Sequence, residues 1–213
     1  ELMTRLGLST EETVRWDDIS QRMFVPFHGD GIISQFEGYE ALDELDWEDY
    51  RRRYGNIQRL ELILEAENDS ANRYKASKQP DVLMLFYLLS ADELRDLFGR
   101  LEYRFEPDAI PRTIDYYLAR TSHGSTLSAV VHSWVLARAN RDKAMDYFGK
   151  VLASDIADIQ GGTTAEGIHL AAMAGSIDLL QRCLTGLETR GDRLVLGPQW
   201  PETLGALVFP ISY

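Results

Sequence analysis

The sequence predicts a mainly α-helical fold of paired helices in two layers, followed by a short β-rich C-terminal segment. Three observations carry that expectation. Beyond residue 78, strongly apolar segments alternate with amphipathic ones three times: 80–89 then 91–102, 127–139 then 141–154, and 164–175 then 177–187. A helix that is apolar all round must be covered on every side, whereas an amphipathic one faces water, so inner helices backed by outer ones are the simplest packing. Polar clusters recur just ahead of the apolar members, and Gln79, His123 and Glu166 lie 44 and 43 positions apart. Residues 192–196 and 204–213 then read as strands around a proline-containing link. This is the arithmetic of an α/α solenoid or of part of a closed α/α barrel, of which the chain would hold about half.

The elements follow in order. Ser9 with Glu12 forms a capping box and opens a helix over 10–23. The turn His28-Gly29-Asp30-Gly31 separates two short apolar runs, a small hairpin or irregular loop. The acidic and aromatic stretch 37–54 is a surface excursion with helical turns near 46–53, and a weak helix follows over 56–67. Ser90 with Glu93 makes a second capping box, introducing the helix over 91–102. A helix over 111–120 carries Pro111 in its first turn. Asn140 and Ser176 are the expected caps of the second and third amphipathic helices.

Composition bounds the chemistry. With 213 residues, 45% of them hydrophobic, the chain can bury one sizeable core. A net charge of -12 without a basic stripe argues against nucleic acid, though a local pocket can still hold a small anion. No apolar run approaches a membrane span and no signal peptide is visible, so neither a membrane nor an export route is expected. The single Cys183 excludes an intrachain disulfide and fits a reducing, cytoplasmic setting. Because residue 1 is Glu rather than Met, the expectation is a portion of a longer protein. The four His are scattered, so no metal site is expected, and neither a Gly-x-Ser-x-Gly elbow nor a Walker loop occurs. No cofactor is called for. His28, His132 and the four Trp read as structural.

What remains collects at the leading ends of the apolar helices. Lys78-Gln79 precedes the first, and Thr121-Ser122-His123-Gly124-Ser125-Thr126-Leu127-Ser128 runs into the second. Gly161-Gly162-Thr163-Thr164 precedes the third, with Glu166 and His169 three apart and so on one helical face. Inner helices of a layered fold run parallel, which would bring the clusters to one mouth. Hydroxyls, an imidazole and a glycine at the start of a buried helix suit an oxyanion, because the first N–H groups of a helix have no partner within it. The loop donors Ser122, His123, Gly124, Ser125 and Thr126 are therefore candidates to bind phosphate.

These stretches resemble the inner-helix motifs of the family-65 glycoside hydrolases, which include maltose, trehalose and kojibiose phosphorylases. The matching segments are Lys78 to Val82, Thr121 to Ser128, and Gly162 to His169 continuing to Gly175; Gly31 to Tyr39 resembles the segment after the family's catalytic acid. The resemblance implies an (α/α)6 barrel that cleaves an α-glucosidic disaccharide with inorganic phosphate as co-substrate, releasing β-glucose 1-phosphate with inversion. It implies that Ser125, Thr126 and His169 bind phosphate, that Lys78 and Gln79 hold sugar hydroxyls, and that Glu166 orients the sugar or His169. Phosphate is already a nucleophile, so such a site needs oxyanion donors and a general acid rather than a base.

Departures are Thr126 where the family usually has Ser, Ala171 where it has Gly, and the absence of the Asp-Glu-Tyr-like triplet that carries the acid. The acid is therefore expected upstream of Glu1, with 1–191 as the C-terminal portion of the barrel domain and 192–213 as the start of a truncated β domain. Alone, the chain is expected to be inactive. Its implied partners are the disaccharide, phosphate, the remainder of the catalytic domain and a second copy in a homodimer. An inverting hydrolase of the same fold is the rival reading, with Glu166 as its base. A non-catalytic helical-repeat binding module is a third.

Overall fold

The computed structural model describes residues 2–29, 31–79, 81–190 and 192–211. Helices dominate, and the strands form only two small hairpins. Helices α1 (Leu2–Leu6) and α2 (Thr10–Gln21) bury no residue. The capping box that opens α2 is present: Ser9 Oγ accepts the Glu12 N–H at 3.1 Å while the Glu12 carboxylate accepts the Ser9 N–H at 2.9 Å. Strand β1 (Phe27–His28) pairs antiparallel with β2 (Ile32–Ile33); Asp30, in the predicted turn between them, lies outside the described residues. Helices α3 (Trp47–Tyr54) and α4 (Leu60–Ala66) bury Tyr50, Leu60 and Leu64 in a small core of their own with Leu45 and Ile57.

The first inner helix is shorter than predicted. α5 spans Met84–Leu88, and 81–83 form single turns with Val82 and Leu83 buried; the predicted start at Pro80 lies outside the described residues. Helix α6 (Ala91–Arg100) has the expected Ser90 and Glu93 capping box and buries Leu94 and Phe98, four positions apart on one face. Helix α7 (Ala109–Leu118) starts two residues before Pro111, which still falls in the first turn, where a missing N–H costs nothing. Its buried Tyr117 donates to the Ile33 carbonyl at 2.8 Å and ties α7 to the hairpin.

Helix α8 (Thr126–Leu136) is the centre of the molecule. Only Leu127 and Trp134 along it escape full burial, because α5, α9 (Arg141–Ala153) and α10 (Leu170–Asp178) all pack against it. Asn140 caps α9 by accepting the Lys143 N–H at 3.1 Å, and Ala144, Phe148 and Val151 form its buried face. Ser133 on α8 donates to the Ala144 carbonyl at 2.9 Å, so the two helices run in close contact.

The third predicted pair is corrected. Instead of a helix over 164–175 and another over 177–187, a 3-10 turn Thr164–Glu166 ends at Gly167, whose φ of 108° is a conformation that favours glycine. α10 starts later and runs through Ser176, whose Oγ donates to the Met173 carbonyl at 2.7 Å rather than capping a new helix. It continues as a π-helical turn Leu179–Cys183. A Cβ on Gly175 would lie 2.7 Å from Val130 Cγ1, so a small residue there is what lets α10 pass α8 without a break. Burial in this segment pushes the Cys183 thiol up to about 12, which makes it an inert core group.

After α10, β3 (Glu188–Arg190) and β4 (Arg193–Val195) form a hairpin that straddles position 191. The predicted strand over 204–213 does not form among the described residues: Glu202–Leu204 is a 3-10 turn and 205–211 has no regular structure. Among the described residues, 205–211 enter neither of the two sheets, and a strand exists only when paired; Ser212 and Tyr213 lie outside the described residues. Among the described residues no helix is long and apolar enough to cross a membrane.

Candidate active site

The loop between α7 and α8 is fixed from below by backbone pairing. The Ser77 N–H donates to the Arg120 carbonyl and the Ser122 N–H to the Ser77 carbonyl, each at 2.8 Å. That parallel bridge carries Lys78 to the loop, so two of the clusters separated in sequence meet. The contact is tight: a Cβ on Gly124 would lie 2.3 Å from the Gln58 carbonyl oxygen and 2.9 Å from Lys78 Cγ. Glycine is needed here for close approach rather than for a turn. Ser122 is buried with its hydroxyl facing the Ser77 and Gln58 carbonyls at 3.4 and 3.5 Å.

His123 sits at φ 59°, uncommon for a residue with a side chain. Its ring braces the loop from inside: Nδ1 lies 2.9 Å from Ser128 Oγ, Nε2 lies 3.1 Å from the Tyr147 hydroxyl, and the ring packs edge-on against His132 at 4.6 Å. Burial pushes His123 down to about 3 and His132 down to about 4, so both are uncharged at neutral pH. Neither ring nitrogen of His123 is open to an anion in this arrangement. Ser122 and His123 shape the loop, and its open hydroxyls are those of Ser125 and Thr126.

Ser125 stands at the N-cap of α8 but its side chain makes no capping bond. The first turn of α8 therefore presents backbone donors, with the Ser125 and Thr126 hydroxyls beside them, to a recess walled by Gln58, Tyr147, Lys150 and Gln160. Lys150 brings a positive charge to that wall, its Nζ 4.6 Å above the Tyr147 ring, and pairs with no carboxylate among the described residues. Gln79 faces elsewhere. Its amide donates to Asp81 Oδ1 at 3.1 Å, and it lines a second recess with Met84, Leu127 and Val131.

The third cluster reaches the loop through Gln160, whose amide donates to the His123 carbonyl at 3.3 Å. The Gly161-Gly162-Thr163-Thr164 run is wrapped around a carboxylate of its own: Asp158 accepts the Gly162 N–H at 2.8 Å and the Thr164 N–H at 3.2 Å, contacts that hold its carboxyl below the usual range. Those N–H groups are spent on Asp158. Glu166 and His169 do not share a helical face, because the Gly167 turn separates them; Glu166 is exposed on the 3-10 turn and His169 takes the N-cap position of α10. The partner of His169 is Asp155, which accepts its backbone N–H at 2.9 Å and lies 2.6 Å from its Nδ1. Hydrogen bonds from His169 hold the Asp155 carboxyl below its ordinary value.

Sequence reasoning missed Asp155, Asp158, Tyr147, Lys150 and Gln58. Asp158 could have been found, since an Asp a few residues ahead of a Gly-Gly pair is a turn signature. The others come from distant elements and leave no local mark. Among the described residues no three His, Cys, Asp or Glu gather closely enough to hold a metal ion.

Comparison with known proteins bears on this geometry. The model of the glycosyl hydrolase family 65 central catalytic domain matches residues 1–178. An uncharacterized glycosyl hydrolase of Mycobacterium tuberculosis is 73% identical over 212 residues, which is 100% of this chain and 16% of that protein. The trehalose 6-phosphate phosphorylase of Lactococcus lactis is 34% identical over 192 residues, 90% of this chain and 25% of that protein. A solved structure of a protein assigned as a kojibiose phosphorylase, from the human microbiome, superposes with a TM-score of 0.65 at 23% identity, over 92% of this chain and 25% of the other. The chain spans between about a sixth and a quarter of the length of these proteins.

Proposed function

The chain belongs to glycosyl hydrolase family 65, and from that premise we propose that it carries the phosphate side of an inverting disaccharide phosphorylase. Phosphate sits at the start of α8, held by Ser125, Thr126 and the first-turn N–H groups, with His169 as a further ligand and Lys150 supplying charge. Lys78, carried to the loop by the Ser77 bridge and 3.4 Å from Glu61 Oε1 through its Nζ, holds a hydroxyl of the glucosyl unit, whereas Gln79 lines the separate recess beside Met84 and Leu127 and is left out of this contact. Ser122, His123 and Gly124 keep the loop in shape. The general acid belongs to the longer protein, since the chain has no Asp-Glu-Tyr triplet, and the helices described above are part of an (α/α)6 barrel completed there.

One observation carries this reading: α8 begins without a side-chain cap and opens, through two free hydroxyls, into a recess with a lysine on its wall. A helix start of that kind is complementary to an oxyanion. Pre-placed donors of this kind stabilise charge in the transition state without reorganising, and holding phosphate in line with the glucosidic bond makes attack effectively intramolecular.

Hydrolysis would instead need a carboxylate base with a water between it and the sugar. The Thr121 to Ser128 loop has none, and Glu166 is exposed on a separate turn. The deciding experiment uses the longer protein with an α-glucosidic disaccharide, with and without orthophosphate. Phosphorolysis yields β-glucose 1-phosphate only when phosphate is present; free glucose at the same rate without phosphate would overturn the proposal. The name of the 34% relative makes trehalose 6-phosphate a substrate to include.

A further inference from the structure

We propose that Asp155 is the positioning residue for His169: it holds the imidazole in its Nδ1–H form and leaves Nε2 as the nitrogen that meets phosphate. This rests on the phosphate reading above. The attachment is two-pointed. Asp155 Oδ2 accepts the backbone N–H of His169 at 2.9 Å and Oδ1 lies 2.6 Å from its Nδ1, so one carboxylate fixes both the backbone and the ring of the same residue. An ionised carboxylate can only accept, which requires the proton on Nδ1 whatever the charge of the ring.

Nε2 has no hydrogen-bond partner among the described residues, and the side chain is 27% exposed while that of Asp155 is 10% exposed. Neutral, the ring accepts an O–H of a protonated phosphate at Nε2; protonated, it donates Nε2–H to a phosphate oxygen. Both contacts use the same nitrogen without a ring flip. The family resemblance implies that Glu166 orients the sugar or His169, but the turn at Gly167 takes that carboxylate away from the ring. Asp155 also follows Ser154, which lines the recess at the start of α8.

The test reads the ring directly. Side-chain 15N shifts are recorded for the wild-type chain above the titration range, the His169 signals being identified by their loss in His169→Gln. A protonated Nδ1 and a bare Nε2 are expected; the reverse pattern overturns the proposal with no variant needed. Asp155→Asn turns an amide N–H toward Nδ1 and should reverse the pattern, as carboxylate-to-amide changes do beside other histidines. Without the carboxylate the protonated ring loses its stabilising partner, so the charge-assisted Nε2–H contact weakens and the dissociation constant for orthophosphate, by calorimetry, should rise about ten- to a hundredfold. Asp155→Glu should restore the tautomer and most of the affinity. An Asp155→Asn chain with lower thermal stability but an unchanged tautomer would show a merely structural residue and overturn the proposal. So would unchanged phosphate affinity with a reversed tautomer. Should the wild-type chain fail to bind orthophosphate, the phosphate reading falls and with it the contact at Nε2, while the nitrogen shifts still decide what Asp155 does to the ring.

Discussion

Replacing Gly124 by alanine is the most informative small change in the loop. The added Cβ would sit 2.3 Å from the Gln58 carbonyl oxygen and 2.9 Å from Lys78 Cγ. The lysine stem can swing away, but the carbonyl is backbone, so the loop itself has to move by about 1 Å to reach an ordinary contact distance. Forcing an extra carbon into a packed site costs about 1–3 kcal/mol. For a chain of this size, about 2 kcal/mol lowers the melting temperature by about 4–8 °C. The same shift moves Ser125 and Thr126, the next two residues, and a misplacement of that size can cost about a hundredfold in a positioned site. Gly124→Ala should therefore lose both stability, by thermal unfolding followed with circular dichroism, and orthophosphate affinity, by calorimetry. Gly149→Ala is the control: it lies within α9 with nothing within 4 Å of a Cβ, and should gain up to about 1 kcal/mol with phosphate affinity unchanged. A Gly124→Ala chain with wild-type melting temperature and affinity would refute the close-approach argument.

Other consequences are as specific. Tyr147→Phe removes the hydroxyl that meets His123 Nε2 at 3.1 Å and should cost about 1–2 kcal/mol in urea unfolding, since a buried ring nitrogen loses its partner. Gly175→Ala places a Cβ 2.7 Å from Val130 Cγ1 and should cost about 1–3 kcal/mol by the same assay, relieved in part by Val130→Ala. The pH dependence has a definite sign. His123 and His132 are pushed down to about 3 and about 4 in the folded chain, so below about pH 6.5 the unfolded chain binds protons that the folded one refuses. Their contribution is complete above pH 6.5 and is lost as pH falls toward the folded values, by about 1.4 kcal/mol per pH unit for each histidine. Urea midpoints at pH 7, 6 and 5 should fall in that order, and a flat series would contradict the buried, neutral pair.

What the sequence discloses follows from how local each cause is. The boxes at Ser9 and Glu12 and at Ser90 and Glu93 are readable because donor and acceptor lie three residues apart and need nothing else. α8 is readable because it is apolar on every face, and the Thr121 to Ser128 loop because hydroxyls and a glycine stand where that helix must begin. The third pair is misread because apolar periodicity runs on through 164–175, whereas the break is decided by the backbone of Gly167 and the continuation by Gly175 fitting against Val130. The strand over 204–213 is misread because pairing depends on a neighbour that composition does not reveal. In the site, the spacing puts Glu166 and His169 on one helical face, which the turn at Gly167 undoes, and the hydrogen-bond partner of His169, Asp155, lies fourteen residues before it and bonds it only through the folded loop. Tyr147 and Lys150 reach the recess from α9, a helix whose own pattern speaks only of its buried face.

The central claim is that an oxyanion sits at the start of α8, and the most direct measurement is a crystal of the chain soaked with tungstate, a heavy tetrahedral analogue of phosphate that anomalous scattering locates. A single site is expected, with oxygens within hydrogen-bond distance of the Ser125 and Thr126 hydroxyls and the first-turn N–H groups, lost in competition with orthophosphate. An ordered tungstate elsewhere with this helix start left empty would contradict it.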